Sequence, residues 1–139
     1  MAVSRAVVDT NVLRPGLYSA KGASFVILRA IEERRLVPVL STTLLFEYEE
    51  IVRRHQEALR LSNRAVEDVL DAFCERGEHR RIYFLWRPQL ADPKDDHILE
   101  LAVASESVPI VTYNVKDFGA ADRFGVRVMK PAELIGELK

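Results

Sequence analysis

The chain has 139 residues, 48% hydrophobic and 29% charged, which allows one domain with a two- or three-layer core and excludes a disordered protein. A net charge of −1 gives no long-range field for drawing in nucleic acid and excludes none either. The single cysteine excludes an internal disulfide, and no apolar stretch approaches membrane-spanning length or forms a signal-peptide core, so a cytoplasmic protein is expected.

Residues 5–9 read as a short buried strand ending at Asp9. A loop with Pro15, Gly16 and Gly22 follows, then a helix over about 23–34 carrying Phe25, Ile27, Leu28 and Ile31. Leu36–Leu40 is a second strand, whose Pro38 suits an edge position. Ser41 caps a helix over about 42–58. Ser62 or Asn63 caps another over about 63–76, stopped by Gly77 and holding Cys74 at the core or its boundary. Arg81–Trp86, rich in β-formers, is expected as the third strand. Asp92-Pro93 opens a helix over 93–106, Val108–Thr112 and Val126–Met129 are strands, and Pro131 starts a terminal helix.

Strands alternating with helices imply parallel crossover units, hence a three-layer α/β/α, Rossmann-like single domain over 1–139 with about five parallel strands. Ligands of such sheets lie beyond the carboxyl ends of the strands. Four acidic patches can reach that edge: Asp9; Glu47; the run Asp92-Pro93-Lys94-Asp95-Asp96; and the segment Thr112–Asp117. Carboxylates so far apart in sequence converge most readily around a hard divalent cation.

Each patch also has a plainer explanation. Asp92 is fully accounted for as a helix cap before Pro93, and Asp9 could merely begin a turn with Thr10 and Asn11. On a helical wheel Asp95 shares the inward stripe of Ile98, Leu99 and Ala102, whereas Asp96 falls toward the edge near Glu100 and Val103. That makes Asp95 the better ligand, Asp96 a supporting or solvated residue, and His97 an outward, solvated one. Glu47 and Glu49 flank opposite edges of the stripe Leu44, Tyr48, Ile51 and Val52, and the wheel does not choose between them. The histidines lack zinc-ligand spacing, and neither a phosphate-binding glycine loop nor a nucleophile elbow is present. The arginine clusters, Arg53-Arg54 among them, suit phosphate but equally suit a solvated helix face paired with Glu49, Glu50, Glu57 and Glu67.

Val7-Val8-Asp9-Thr10-Asn11-Val12-Leu13 resembles the opening signature of PIN domains. So do Ser41-Thr42-Thr43-Leu44-Leu45-Phe46-Glu47, the segment from Asp92 to Ala102, and Ile110-Val111-Thr112-Tyr113-Asn114. With Lys130-Pro131-Ala132-Glu133 the resemblance spans essentially the whole chain. It points most closely to VapC-like toxins of toxin–antitoxin modules. It implies a Mg²⁺- or Mn²⁺-dependent endoribonuclease hydrolysing RNA by a metal-activated water. By the same resemblance the acids fall on Asp9, Glu47 and Asp95. The usual fourth acid falls on Asn114, an amide that brings no negative charge and lowers affinity for a second ion; Asp117 is placed to compensate as a ligand. Thr112 would orient Asp9, and Asn11 would shape the mouth of the site. Arg14, Arg53 and Arg54 are candidates for steering RNA. A homodimer is implied, as is a small antitoxin inserting a residue such as arginine near the acids.

Two rivals stand beside this. Phosphatases of the haloacid-dehalogenase type need a second aspartate two residues after the first, where this chain has Asn11. A catalytically weak PIN-like module binding RNA or protein is favoured by Asn114.

Overall fold

A computed structural model describes residues 3–82 and 95–138. The apolar run before Asp9 forms β1 (Arg5–Val8), whose last three residues are buried. A 3-10 turn (Thr10–Val12) and α1 (Leu13–Tyr18) follow where a loop was expected, then α2 (Ala23–Glu32). Proline at the third position of α1 costs no helical hydrogen bond, because first-turn N–H groups have no intrahelical partner. At Gly16 the two helices come close: a Cβ would lie 2.5 Å from Leu28 Cδ1 and 3.2 Å from the Ser24 carbonyl carbon, so a larger residue would make Leu28 shift.

Next come β2 (Val37–Leu40), α3 (Thr42–Arg54), α4 (Asn63–Arg76) and β3 (Glu78–His79). Ser41 and Ser62 cap the two helices, accepting from the N–H groups of Leu44 and Ala65 at 3.1 and 3.0 Å. Among the described residues the third strand is thus β3, ahead of the expected Arg81–Trp86. Arg81 and Ile82 have no regular structure, and Tyr83–Trp86 lie outside the described residues, as do Asp92 and Pro93. β3 forms by pairing with the free side of β2, Glu78 and His79 lying beside Val39 and Leu40. Gly77 turns against Pro38 and Leu40, so the chain reaches that side as soon as α4 ends.

The remaining elements are α5 (Asp96–Ala104), β4 (Ile110–Val111), two 3-10 turns meeting at Phe118 (Val115–Phe124), β5 (Val128–Met129) and α6 (Pro131–Ile135). All strands pair in parallel in the order β3-β2-β1-β4-β5, with helices packed around them: the three-layer α/β/α arrangement. β2 is therefore internal rather than an edge. Val37 N–H donates toward β1, to Ser4 O at 2.8 Å, so position 38 points its missing donor toward β3. There the pairing begins only at Val39, and proline costs no ladder bond. Cys74 is exposed, on the outer face of α4 rather than at the core. No described helix is long and apolar enough to cross a membrane.

Candidate active site

The strand order reverses between β1 and β4, so a crevice opens beyond their carboxyl ends. Asp9 leaves β1 and Thr112 leaves β4 side by side, following the register pair Val8↔Val111. Their side chains close the gap: Thr112 Oγ1 donates to Asp9 Oδ2 at 2.8 Å, while Asp9 Oδ1 accepts from Thr10 N–H at 2.7 Å. Thr112 Oγ1 in turn accepts from Asn11 Nδ2 at 3.0 Å and from Asn114 N–H at 3.1 Å. Those two bonds use both lone pairs of the hydroxyl, so its one proton is committed to Asp9. Tyr113 N–H donates to Asn11 Oδ1 at 3.2 Å, which sets the amide of Asn11 with its nitrogen toward Thr112.

Asp9 is only 7% exposed. Burial pushes its carboxyl above the ordinary aspartate value; the hydrogen bonds from Thr112 and Thr10 pull it back, and the charge of Glu47 adds to the rise. Glu47 is brought near by α3. One residue on, the fully buried Tyr48 donates its hydroxyl to Val8 O at the end of β1 and packs its ring 4.7 Å from that of Phe73. Burial first, then the charges of Asp9 and Glu47, push the Tyr48 hydroxyl well above its ordinary value, so it stays a donor. Glu49 instead pairs with Arg53 at 2.9 Å on the solvated face of α3.

Helix α5 departs from the wheel reading. Every residue from Asp96 to Ala102 is buried, because α5 lies against α3 and the sheet and has no solvent face over this stretch. Asp96 is 1% exposed, whereas Asp95, at the N-cap position, is only half-buried: the reverse of the expected order. His97 is not solvated. It is 7% exposed, and its Nε2 lies 2.7 Å from Glu47 Oε2. Sequence reasoning missed this residue, although the nearly unbroken apolar company of Ile98, Leu99, Leu101 and Ala102 leaves the helix little room for a solvent face.

Asn114 is exposed at the start of the 3-10 segment, and Asp117 N–H donates to its carbonyl at 3.0 Å. Asn114 and Asp117 line an open cavity with Lys116, Lys130 and Glu133, among others, and Asp9 is not part of its wall. Arg54 pairs with Glu50 at 2.6 Å and Arg53 with Glu49, as the solvated-face reading had it. Arg14 is exposed and stacks over Tyr18, 5.4 Å from the ring centre.

Among the described residues no group of three or more His, Cys, Asp or Glu side chains could hold a metal ion. The structure brings Asp9 and Glu47 together, and does not gather Asp95 or Asp117 with them into such a group. The pair nevertheless suits Mg²⁺, which keeps several waters and takes one or two carboxylates beside substrate phosphate. Asp9 is a buried carboxylate further burdened by a second negative charge, and a cation would relieve both costs.

A family model described as PIN domain matches residues 5–116, a span that takes in Asp9, Glu47, Asp95, Asp96, Thr112 and Asn114 and stops before Asp117. No curated protein and no solved structure gives a match. PIN domains are typically nucleases that use divalent metal ions and act on RNA. On this match, and with its five parallel strands, the chain belongs to the PIN-domain family.

Proposed function

We propose that the protein is a Mg²⁺- or Mn²⁺-dependent endoribonuclease, the toxin of a toxin–antitoxin pair. The observation that carries the nuclease reading is the Asp9–Thr112 contact across the switch point, with Glu47 adding its charge beside it. Asp9 and Glu47 are the proposed cation ligands, joined by Asp95 and, at the mouth, by Asp117. The burial of Asp96 adds it to the candidates for the third acid. A bound divalent cation would neutralise phosphate oxygens and make the attacking water more acidic. The chain's own part is to hold the ligand carboxylates still. Thr112 and Thr10 fix both oxygens of Asp9, and the buried α5 provides a rigid wall. Arg14 is the best placed of the proposed RNA-steering residues, since Arg53 and Arg54 already engage carboxylates. The toxin role, a homodimer and an antitoxin arginine reaching the acids rest on the VapC-like resemblance.

The test is cleavage of mixed structured and single-stranded RNAs with Mg²⁺, Mn²⁺ or EDTA. We expect cleavage that EDTA abolishes and that Asp9→Asn or Glu47→Gln reduces at least about a hundredfold. Asp95→Asn and Asp96→Asn, run side by side, identify the third acid by the larger loss. Growth arrest on expression, lost with Asp9→Asn, is the outcome expected of a toxin. A second reading, an RNA- or protein-binding module with weak catalysis, draws on Asn114, whose amide stands exposed where a fourth carboxylate is absent. RNA bound without cleavage under every metal would favour it.

A further inference from the structure

His97 occupies an uneconomical position for a core residue. It shares the buried stretch of α5 with Ile98, Leu99, Leu101 and Ala102, and with the carboxylates Asp96 and Glu100, and brings a polar ring into that layer at 7% exposure. Nδ1 is buried and has no hydrogen-bond partner among the described residues. The ring's polar contact is therefore at its other nitrogen, Nε2, 2.7 Å from Glu47 Oε2. A carboxylate only accepts, so Nε2 carries the proton and donates. Leaving Nδ1 without a partner has a cost, and the bond to Glu47 is the compensation visible at this ring.

Glu47 needs such a restraint. Its side chain is 36% exposed, and its charge lies close enough to Asp9 for the two carboxylates to repel. The long glutamate stem would otherwise sample several rotamers, and a ligand carboxylate that wanders loses affinity for its ion. Helix α5 is packed from Asp96 to Ala102, so the ring that reaches Glu47 is itself immobile.

We propose that His97 is the positioning residue of Glu47: its Nε2–H holds one carboxylate oxygen and leaves the second for the cation shared with Asp9. This rests on the metal-dependent reading above. Loss of a hydrogen-bond partner behind a ligand lowers metal affinity by about 10- to 100-fold.

The experiment is Mn²⁺ binding followed by electron paramagnetic resonance, with metal-free thermal melts of every protein. His97→Leu removes the donor at similar bulk. His97→Asn keeps polarity but carries its amide at the Nδ1 position, short of Glu47. His97→Gln restores a donor near the Nε2 position. We expect Leu and Asn to weaken Mn²⁺ binding about tenfold or more and Gln to recover most of it. In a Glu47→Ala background His97→Leu should change Mn²⁺ binding no further. Lower melting temperatures with unchanged Mn²⁺ affinity would make His97 a packing residue and overturn the proposal, as would Gln binding no better than Leu. A wild-type protein that binds no Mn²⁺ would overturn the metal reading itself, and the positioning role with it.

Discussion

Thr112 carries much of the order of the site because its hydroxyl serves three partners at once, donating to Asp9 and accepting from Asn11 and Asn114. Thr112→Val keeps the shape and removes all three bonds, leaving Oδ2 of the buried Asp9 without its donor. Buried groups left unpaired cost about 1–3 kcal/mol. We therefore expect a clear fall in melting temperature and at least a tenfold loss of cleavage in single-turnover kinetics. Thr112→Ser should retain most of both. Asp9 supplies a second prediction. Its folded-state value lies above 3.8, so the native state holds this proton to higher pH than the unfolded chain does. Ionising Asp9 thus costs stability above that folded value, and the cost vanishes as pH falls through it. Cation binding requires the ionised form. The Mn²⁺-induced rise in melting temperature should be full near about pH 7, then fade on acidification at a pH above that of an ordinary aspartate. Melts across pH with and without Mn²⁺ measure this, and an increment undiminished down to about pH 4 would contradict it.

Between elements, the decisive contacts are those that bring a helix onto a strand end. Tyr48 ties α3 to the last carbonyl of β1, and this places Glu47 beside Asp9. Gly77 does comparable work at the junction of α4 and β3. A methyl there would lie 2.6 Å from Leu40 Cδ1 and 2.6 Å from Phe73 O, with Pro38 O at 3.0 Å. Two of those neighbours are backbone and cannot swing away. Gly77→Ala is expected to destabilise by about 1–3 kcal/mol, read as a lower urea midpoint, and a neutral result would show that the α4–β3 junction yields. The same scale explains the misread α5. Helical wheels assume one solvent face, and this helix has none from Asp96 to Ala102, so the inferred burial of Asp95, Asp96 and His97 was inverted.

For the whole molecule, charge is nearly balanced, and several of the described arginines are engaged internally. Arg5 bonds to Glu78, Arg80 reaches Glu78 and Glu106, and Arg127 grips Glu137 with both terminal nitrogens. Glu78 is held below its ordinary value chiefly by Arg5, and Glu137 by Arg127, which shows these cations already committed. RNA then meets a protein whose net charge is −1. Capture by a broad electrostatic field is not expected, and the dependence of kcat/KM on salt should be shallow, with a log–log slope of about −1 to −2, or roughly two or three phosphates. A slope several times steeper would mean that the ion pairs open to receive RNA.

Much of the architecture was legible in the chain because it is written locally. Alternating apolar runs, the serine caps at Ser41 and Ser62 and the strand-end Asp9 are short-range signals. The ordered motifs around Asp9, Glu47, Asp95 and Thr112 were enough to recognise the PIN family, and the family match covers them. Tertiary structure decided the rest. The third strand was set by contact with β2 across Gly77, and the interior place of Pro38 by which side of the ladder its missing donor faced. The burial of Asp96 and the bond between His97 and Glu47 depend on what packs around α5. Periodicity records which residues share a face of one element, whereas the environment of that face comes from neighbours distant in sequence. A side chain at position 97 can therefore meet one at position 47 only once both helices have docked on the sheet.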